Sequence, residues 1–145
     1  MANMSGGDKI KKVLFQLAAN LNKAHAVDVG FLPNAVYLDG TNVAQVAAYN
    51  EFGTEKIPSR PFFRTTIAEK SPEWGPALGK LVVSNGYDAS KALDALGQGV
   101  AGQIRRGIID MNTPPNAPST LRQKKGTKPL VDTGQMLRSV DSEVK

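Results

Sequence analysis

The stretch Asp88–Met111, DASKALDALGQGVAGQIRRGIIDM, decides how the rest of the chain is read. Leu93, Leu96, Val100, Ile104 and Ile108 follow one another at intervals of three or four residues, which places them on one face of an α-helix. Asp88 stands where a side-chain cap belongs. After Met111 comes NTPPNAP, whose adjacent prolines block both a helix and a strand ladder. The spacing predicts one long helix between these limits.

The same stretch contains Gly97-Gln98-Gly99-Val100-Ala101-Gly102, which matches the dinucleotide-binding pattern G-x-G-x-x-G. That chemistry needs its glycines in the turn between a strand and a helix, where amides at the helix start face a pyrophosphate. Here Ala89–Leu96 precede the motif with helical period, and the acid required about 20 residues on is missing. Asp110 comes too early for it and Asp132 too late. The glycines are expected to let a neighbouring backbone approach the helix.

Upstream, Ile10, Val13, Leu14, Leu17, Ala18 and Leu21 make a second helical stripe, with Lys9, Lys11, Lys12 and Lys23 off it and Ser5 and Asp8 as a capping box. In Ala26–Leu32, Val27, Val29 and Phe31 alternate with Ala26, Asp28 and Gly30, the pattern of a half-buried strand closed by Pro33 and Asn34. Ala35–Leu38 reads as a short return strand. Thr41 is the expected cap of a helix with Val43, Val46, Ala47 and Asn50 on one face, and Gly53 sits at its left-handed stop. Pro61 opens another helix with Phe62, Phe63, Thr66 and Ile67. Ser71-Pro72 is expected to restart the chain into a separate helix carrying Trp74, Leu78, Leu81 and Val82. Near the C-terminus, Asp132 or Thr133 is the expected cap of a short helix, and the last residues form an edge strand. The fold expected is α+β: a small antiparallel sheet packed with several helices, including a long central one, and a long loop before a short C-terminal helix. Residues 1–145 read as a single domain with an extended basic loop at about 112–131.

At 145 residues and 15.5 kDa, one domain of this size buries roughly 68–70% of its unfolded surface, enough for a core without covalent staples. Apolar residues at 41% and charged residues at 21% are those of an ordinary globular chain. The absence of cysteine excludes a disulfide scaffold, a thiol nucleophile and Cys-ligated metal. His25 is the single histidine, so no transition-metal cluster is expected, and no cofactor. No apolar run approaches the roughly 20 residues that cross a bilayer, and MANMSGGDKIKK has no apolar signal core. A cytoplasm-like compartment of synthesis is therefore expected, with no membrane partner.

The net charge is +5, and the excess is concentrated. Segment 119–130, STLRQKKGTKPL, carries Arg122, Lys124, Lys125 and Lys128 with no acid. Such a segment suits an acidic protein surface or a phosphate backbone, and it equally describes a solvated loop. Leu130-Val131-Asp132-Thr133-Gly134 contains the D-T-G of aspartic proteases, whose paired aspartates need a symmetric, β-rich site. Only eleven residues follow Gly134, and they open with a helical pattern, so a helix cap is the expected role. His25 has no serine–aspartate constellation around it. No catalytic set emerges.

Two segments carry more than fold information. One is Tyr49-Asn50-Glu51-Phe52-Gly53-Thr54, followed by Ile57-Pro58-Ser59-Arg60-Pro61-Phe62-Phe63. The other is Pro118-Ser119-Thr120-Leu121-Arg122, then Lys125, then Lys128-Pro129-Leu130-Val131-Asp132-Thr133-Gly134-Gln135-Met136-Leu137-Arg138-Ser139. In order and spacing they resemble the tail-completion and head–tail joining proteins of long-tailed bacteriophages, also described as minor tail or virion morphogenesis proteins. The resemblance spans roughly residues 40–140. It implies a non-enzymatic virion protein, assembled in the host cytoplasm, that forms part of a ring at the neck or tail top. The partners it implies are further copies in a hexameric ring, tail-tube or tail-terminator and head-completion proteins, with genomic DNA nearby.

The same residues have a physical reading. Gly53 ends a helix, and Glu51 and Thr54 are placed to bond backbone groups left unpaired there. Arg60 between Pro58 and Pro61 is held on a stiff segment, suited to a bidentate contact with a partner's carboxylate. Phe62 and Phe63 are expected to divide between core and neighbour. Arg60, Phe62, Phe63, Arg122, Lys124, Lys125 and Lys128 are thus the candidate interaction residues. A small nucleic-acid-binding protein using segment 119–130 is the alternative.

Overall fold

The long helix α4 (Ala89–Asp110) is the axis against which the sheet and the neighbouring helices of the core pack. The computed structural model describes residues 5–123, 129–130 and 134–145. Asp88 caps α4, its carboxylate accepting the Lys91 N–H at 3.2 Å. Val100, Ile104 and Ile108 are buried as the spacing predicts, while Leu93 and Leu96 are half-buried. Ala89, Ala92, Gly97 and Ala101 are buried as well, because α4 has neighbours on more than one side.

Gly97, Gly99 and Gly102 all lie well inside α4, away from its N-terminus. At Gly97 the sheet comes so close that a β-carbon would stand 2.6 Å from Val27 Cγ2 and 2.9 Å from Ser142 Cβ. This is the close approach that helix-internal glycine allows. The sheet consists of β1 (Val27–Phe31) and β2 (Val140–Val144), antiparallel, with Val27 opposite Val144 and Phe31 opposite Val140. Val140 is fully buried, so the C-terminal residues are expected to hold the sheet onto α4.

Helix α1 (Gly6–Leu21) starts as the capping box predicts. Ser5 Oγ accepts the Asp8 N–H at 3.2 Å and donates to Asp8 Oδ2 at 2.8 Å. Its apolar stripe, however, is not core: no α1 residue is buried, and Leu17 is only half-buried. The helix is held near its C-terminal end, where Asn20 Nδ2 donates to the Gly86 carbonyl at 3.2 Å and Lys23 Nζ meets Asp88 Oδ2 at 2.8 Å.

Three local expectations are corrected. Residues 35–38 are not a strand beside β1. Val36 makes a lone bridge to Asn42, and the chain turns back through Tyr37–Gly40; Ala35 and Tyr37 pack against the core while Val36 and Leu38 are exposed, but the turn leaves no ladder beside β1. Helix α2 (Val43–Phe52) is capped by Asn42, not Thr41, Asn42 Oδ1 accepting from Ala44 N–H at 2.9 Å. The two helices expected on either side of Ser71-Pro72 are one, α3 (Phe62–Ser84), with Pro72 and Pro76 in its interior. Both prolines, and Ala68, whose carbonyl Pro72 cannot bond, are exposed, so water can serve the freed carbonyl. The packing of α3 along α4 holds the helix together across them.

Segment 112–131 is not wholly loop, since α5 (Pro118–Gln123) lies within it. Leu130 is buried, and α6 (Gln135–Arg138) follows Gly134, which is left-handed at φ 77°, ψ 7°. The expected cap residues Asp132 and Thr133 lie outside the described residues, as do Lys124, Lys125 and Lys128. The core gathers Val43 and Ala47 of α2, Phe62 of α3, the α4 face, Leu130, Met136 of α6 and Val140 of β2.

Candidate functional site

The residues of the first motif build one corner between α2 and α3. Gly53 ends α2 at φ 79°, ψ 167°, a positive-φ stop that differs from the left-handed one expected. A β-carbon there would stand 2.9 Å from Ser59 N and 3.1 Å from the Ile57 carbonyl. Thr54 holds the turn that follows: its Oγ1 accepts from Ile57 N–H at 3.0 Å, and its N–H donates to the Ile57 carbonyl at 2.8 Å. Pro58 is exposed, and Pro61 stands at the cap position of α3, one residue before the helix.

Glu51 does not serve the end of its own helix. Its buried carboxylate reaches the start of α3, where Oε2 accepts from Phe63 N–H at 2.9 Å and Oε1 from Arg64 N–H at 3.1 Å. An acidic side chain at that point meets otherwise unpaired amides and the positive end of the helix dipole. Arg64 Nε closes the ion pair with Oε1 at 2.7 Å, and its Nη2 donates to the Glu51 carbonyl at 3.1 Å. Arg64 was not singled out by sequence; its place in the first turn of α3 was the available signal. The same guanidinium lies 5.2 Å from the centre of the Phe52 ring.

Arg60 turns inward. It is buried, its Nε donating to the Pro114 carbonyl at 2.7 Å and its Nη2 to the Pro115 carbonyl at 3.1 Å. Burial pushes its pKa below the ordinary guanidinium value. The expected carboxylate contact with a partner is thus replaced by an internal pin between the corner and the start of segment 112–131. Phe62 and Phe63 differ in burial, though both touch the core. Phe62 is core and packs edge-on against Phe31, with ring centres 6.2 Å apart, while Phe63 is half-buried beside Gly30. With Ala48 and Phe52, Phe63 lines a small apolar notch of about 190 Å³. Arg122 is exposed at the end of α5. The structure brings Arg60 and the corner together, and Arg122 stands apart on the segment that Arg60 anchors.

A larger cleft of about 770 Å³ runs between α3 and α4, over Gly99, Gly102 and Gly107. Arg106 and Asp110 pair across one turn at its edge, at 2.9 Å, and the Thr66 hydroxyl donates to the Phe62 carbonyl at 2.8 Å. Among the described residues no group of three or more metal-binding side chains occurs, and no helix is long and apolar enough to cross a membrane. Comparison with protein-family models, curated proteins and solved structures yields no match.

Proposed function

We propose that the chain is a structural subunit of a long-tailed bacteriophage virion, one copy of a neck or tail-top ring needed for tail completion and head–tail joining. The observation that carries this reading is the Arg60 pin. The N-E-F-G-T and P-S-R-P-F residues form a stiff corner, and that corner grips the carbonyls of Pro114 and Pro115 at the root of the basic segment. Such an arrangement supports a scaffold that aims segment 119–130 at an acidic neighbour. No chemistry is asked of it.

The test is charge reversal in the basic segment. Lys124→Glu with Lys125→Glu is expected to leave the melting temperature of the subunit nearly unchanged and to weaken assembly, measured as ring formation and as tail completion in infected cells. Added salt should mimic the reversal, since exposed charges are screened over roughly 8–10 Å. A nucleic-acid-binding protein would respond to salt in the same way. Tight, salt-sensitive binding of the unassembled protein to non-specific duplex DNA, with assembly untouched by the reversal, would establish that second reading instead.

A further inference from the structure

Among the described residues, two unlike apolar surfaces stand exposed. One is the N-terminal part of α1, where Ile10 is 62% exposed, Leu14 58% and the adjacent Phe15 76%. At 3.6 residues per turn, Lys9 and Lys11 flank this stripe on either side. The other is the notch formed by Ala48 and Phe52 of α2 and Phe63, which continues along Phe31, Ala44 and the edge of β1. Its rim is acidic. Asp28 and Glu143 border it, with Asp141 beside them on the sheet face that also bears Gly30, and its two bases are each paired, Lys145 with Asp28 and Arg64 with the buried Glu51.

The notch and the tethered C-terminal end of α1 lie at opposite ends of α3. The notch is at its first residues, and α1 is tethered through Gly86 and Asp88 just beyond its last. With 23 residues, α3 spans about 34 Å. A basic amphipathic helix at one end and an acidic-rimmed aromatic notch at the other are complementary in charge and in apolarity. Two different patches on one subunit make a heterologous, head-to-tail contact, which closes into a ring when the rotation permits.

We propose that α1 of one copy docks, apolar stripe inward, in the notch between β1 and α2 of the next copy, with Lys9 and Lys11 against Asp141 and Glu143. This rests on the self-assembling reading above and names its contact. It also accounts for an amphipathic helix whose stripe finds no core in its own subunit.

The chain has no cysteine, so introduced pairs report cleanly. Leu14→Cys and Ala48→Cys, each alone in the full chain, are mixed and oxidised. The expected product is the mixed disulfide, in clear excess over either homodimer. Light scattering should show Leu14→Asp shifting self-association at least tenfold toward monomer, with the melting temperature held. Lys9→Glu with Lys11→Glu should weaken association similarly, and Asp141→Lys with Glu143→Lys should restore it. Rings whose only cross-link joins Leu14→Cys to itself would overturn this contact while leaving ring assembly intact. A wild-type chain that stays monomeric at every concentration would overturn the contact and self-assembly together. Binding to vesicles of anionic lipid that Leu14→Asp abolishes, without self-association, would overturn it in favour of a membrane-surface helix.

Discussion

Glu51, at the end of α2, holds the first turn of α3 through Arg64: its Oε1 accepts from both the backbone N–H and the Nε of that one residue, at 3.1 and 2.7 Å. The carboxylate is buried and the guanidinium is largely exposed, so the two partners are unequal. Removing the acid strands two amides at a helix start; removing the base leaves the acid bonded to those amides.

Glu51→Ala is therefore expected to lower stability by about 1–3 kcal/mol, since it leaves two part-buried amides unpaired. Arg64→Ala should cost about 1 kcal/mol or less, in line with exposed ion pairs. Urea unfolding of the two variants and of the double variant measures both costs and their coupling. Equal costs would contradict the geometry.

At Gly53 the backbone lies at φ 79°, ψ 167°, and Ser59 occupies the space of a side chain. Gly53→Ala is expected to destabilise by about 1–3 kcal/mol, the range for a strained backbone position. An unchanged melting temperature would mean that α2 ends differently.

The helix-internal glycines should separate by position. Gly97→Ala drives a methyl into Val27 and Ser142, and overpacking of this kind costs about 1–3 kcal/mol. Gly99→Ala meets nothing within 4 Å and should gain up to about 1 kcal/mol from helix propensity. Thermal melts of the two variants moving in opposite directions are the expected result.

The hydrogen bond from Lys23, with the Lys91 amide second, holds the Asp88 carboxyl below its ordinary value of 3.8. A pKa depressed in the folded state contributes stability above the unfolded value and loses it as pH falls through the folded one. Asp88→Asn is thus expected to melt below wild type at neutral pH, with the gap closing below the ordinary carboxylate value. Melting curves across that acid range check the sign; a gap that widens toward acid would refute it.

Sequence alone determined what is local. The period of Leu93 to Ile108, the caps at Ser5 and Asp88 and the positive-φ stop at Gly53 depend on residues a few positions apart, and all are present. The C-terminal edge strand was legible too, but not its partner register. Tertiary structure decided what depends on distant neighbours. Pro72 reads locally as a break, yet packing along α4 carries α3 through it. Arg60 reads as a free hand on a stiff segment until Pro114 and Pro115, more than fifty residues away, present their carbonyls. The stripe of α1 has the pattern of a core helix, and only the placement of the other elements leaves it uncovered. A period records that a face is apolar; what covers that face is settled by which surfaces the rest of the chain brings within reach.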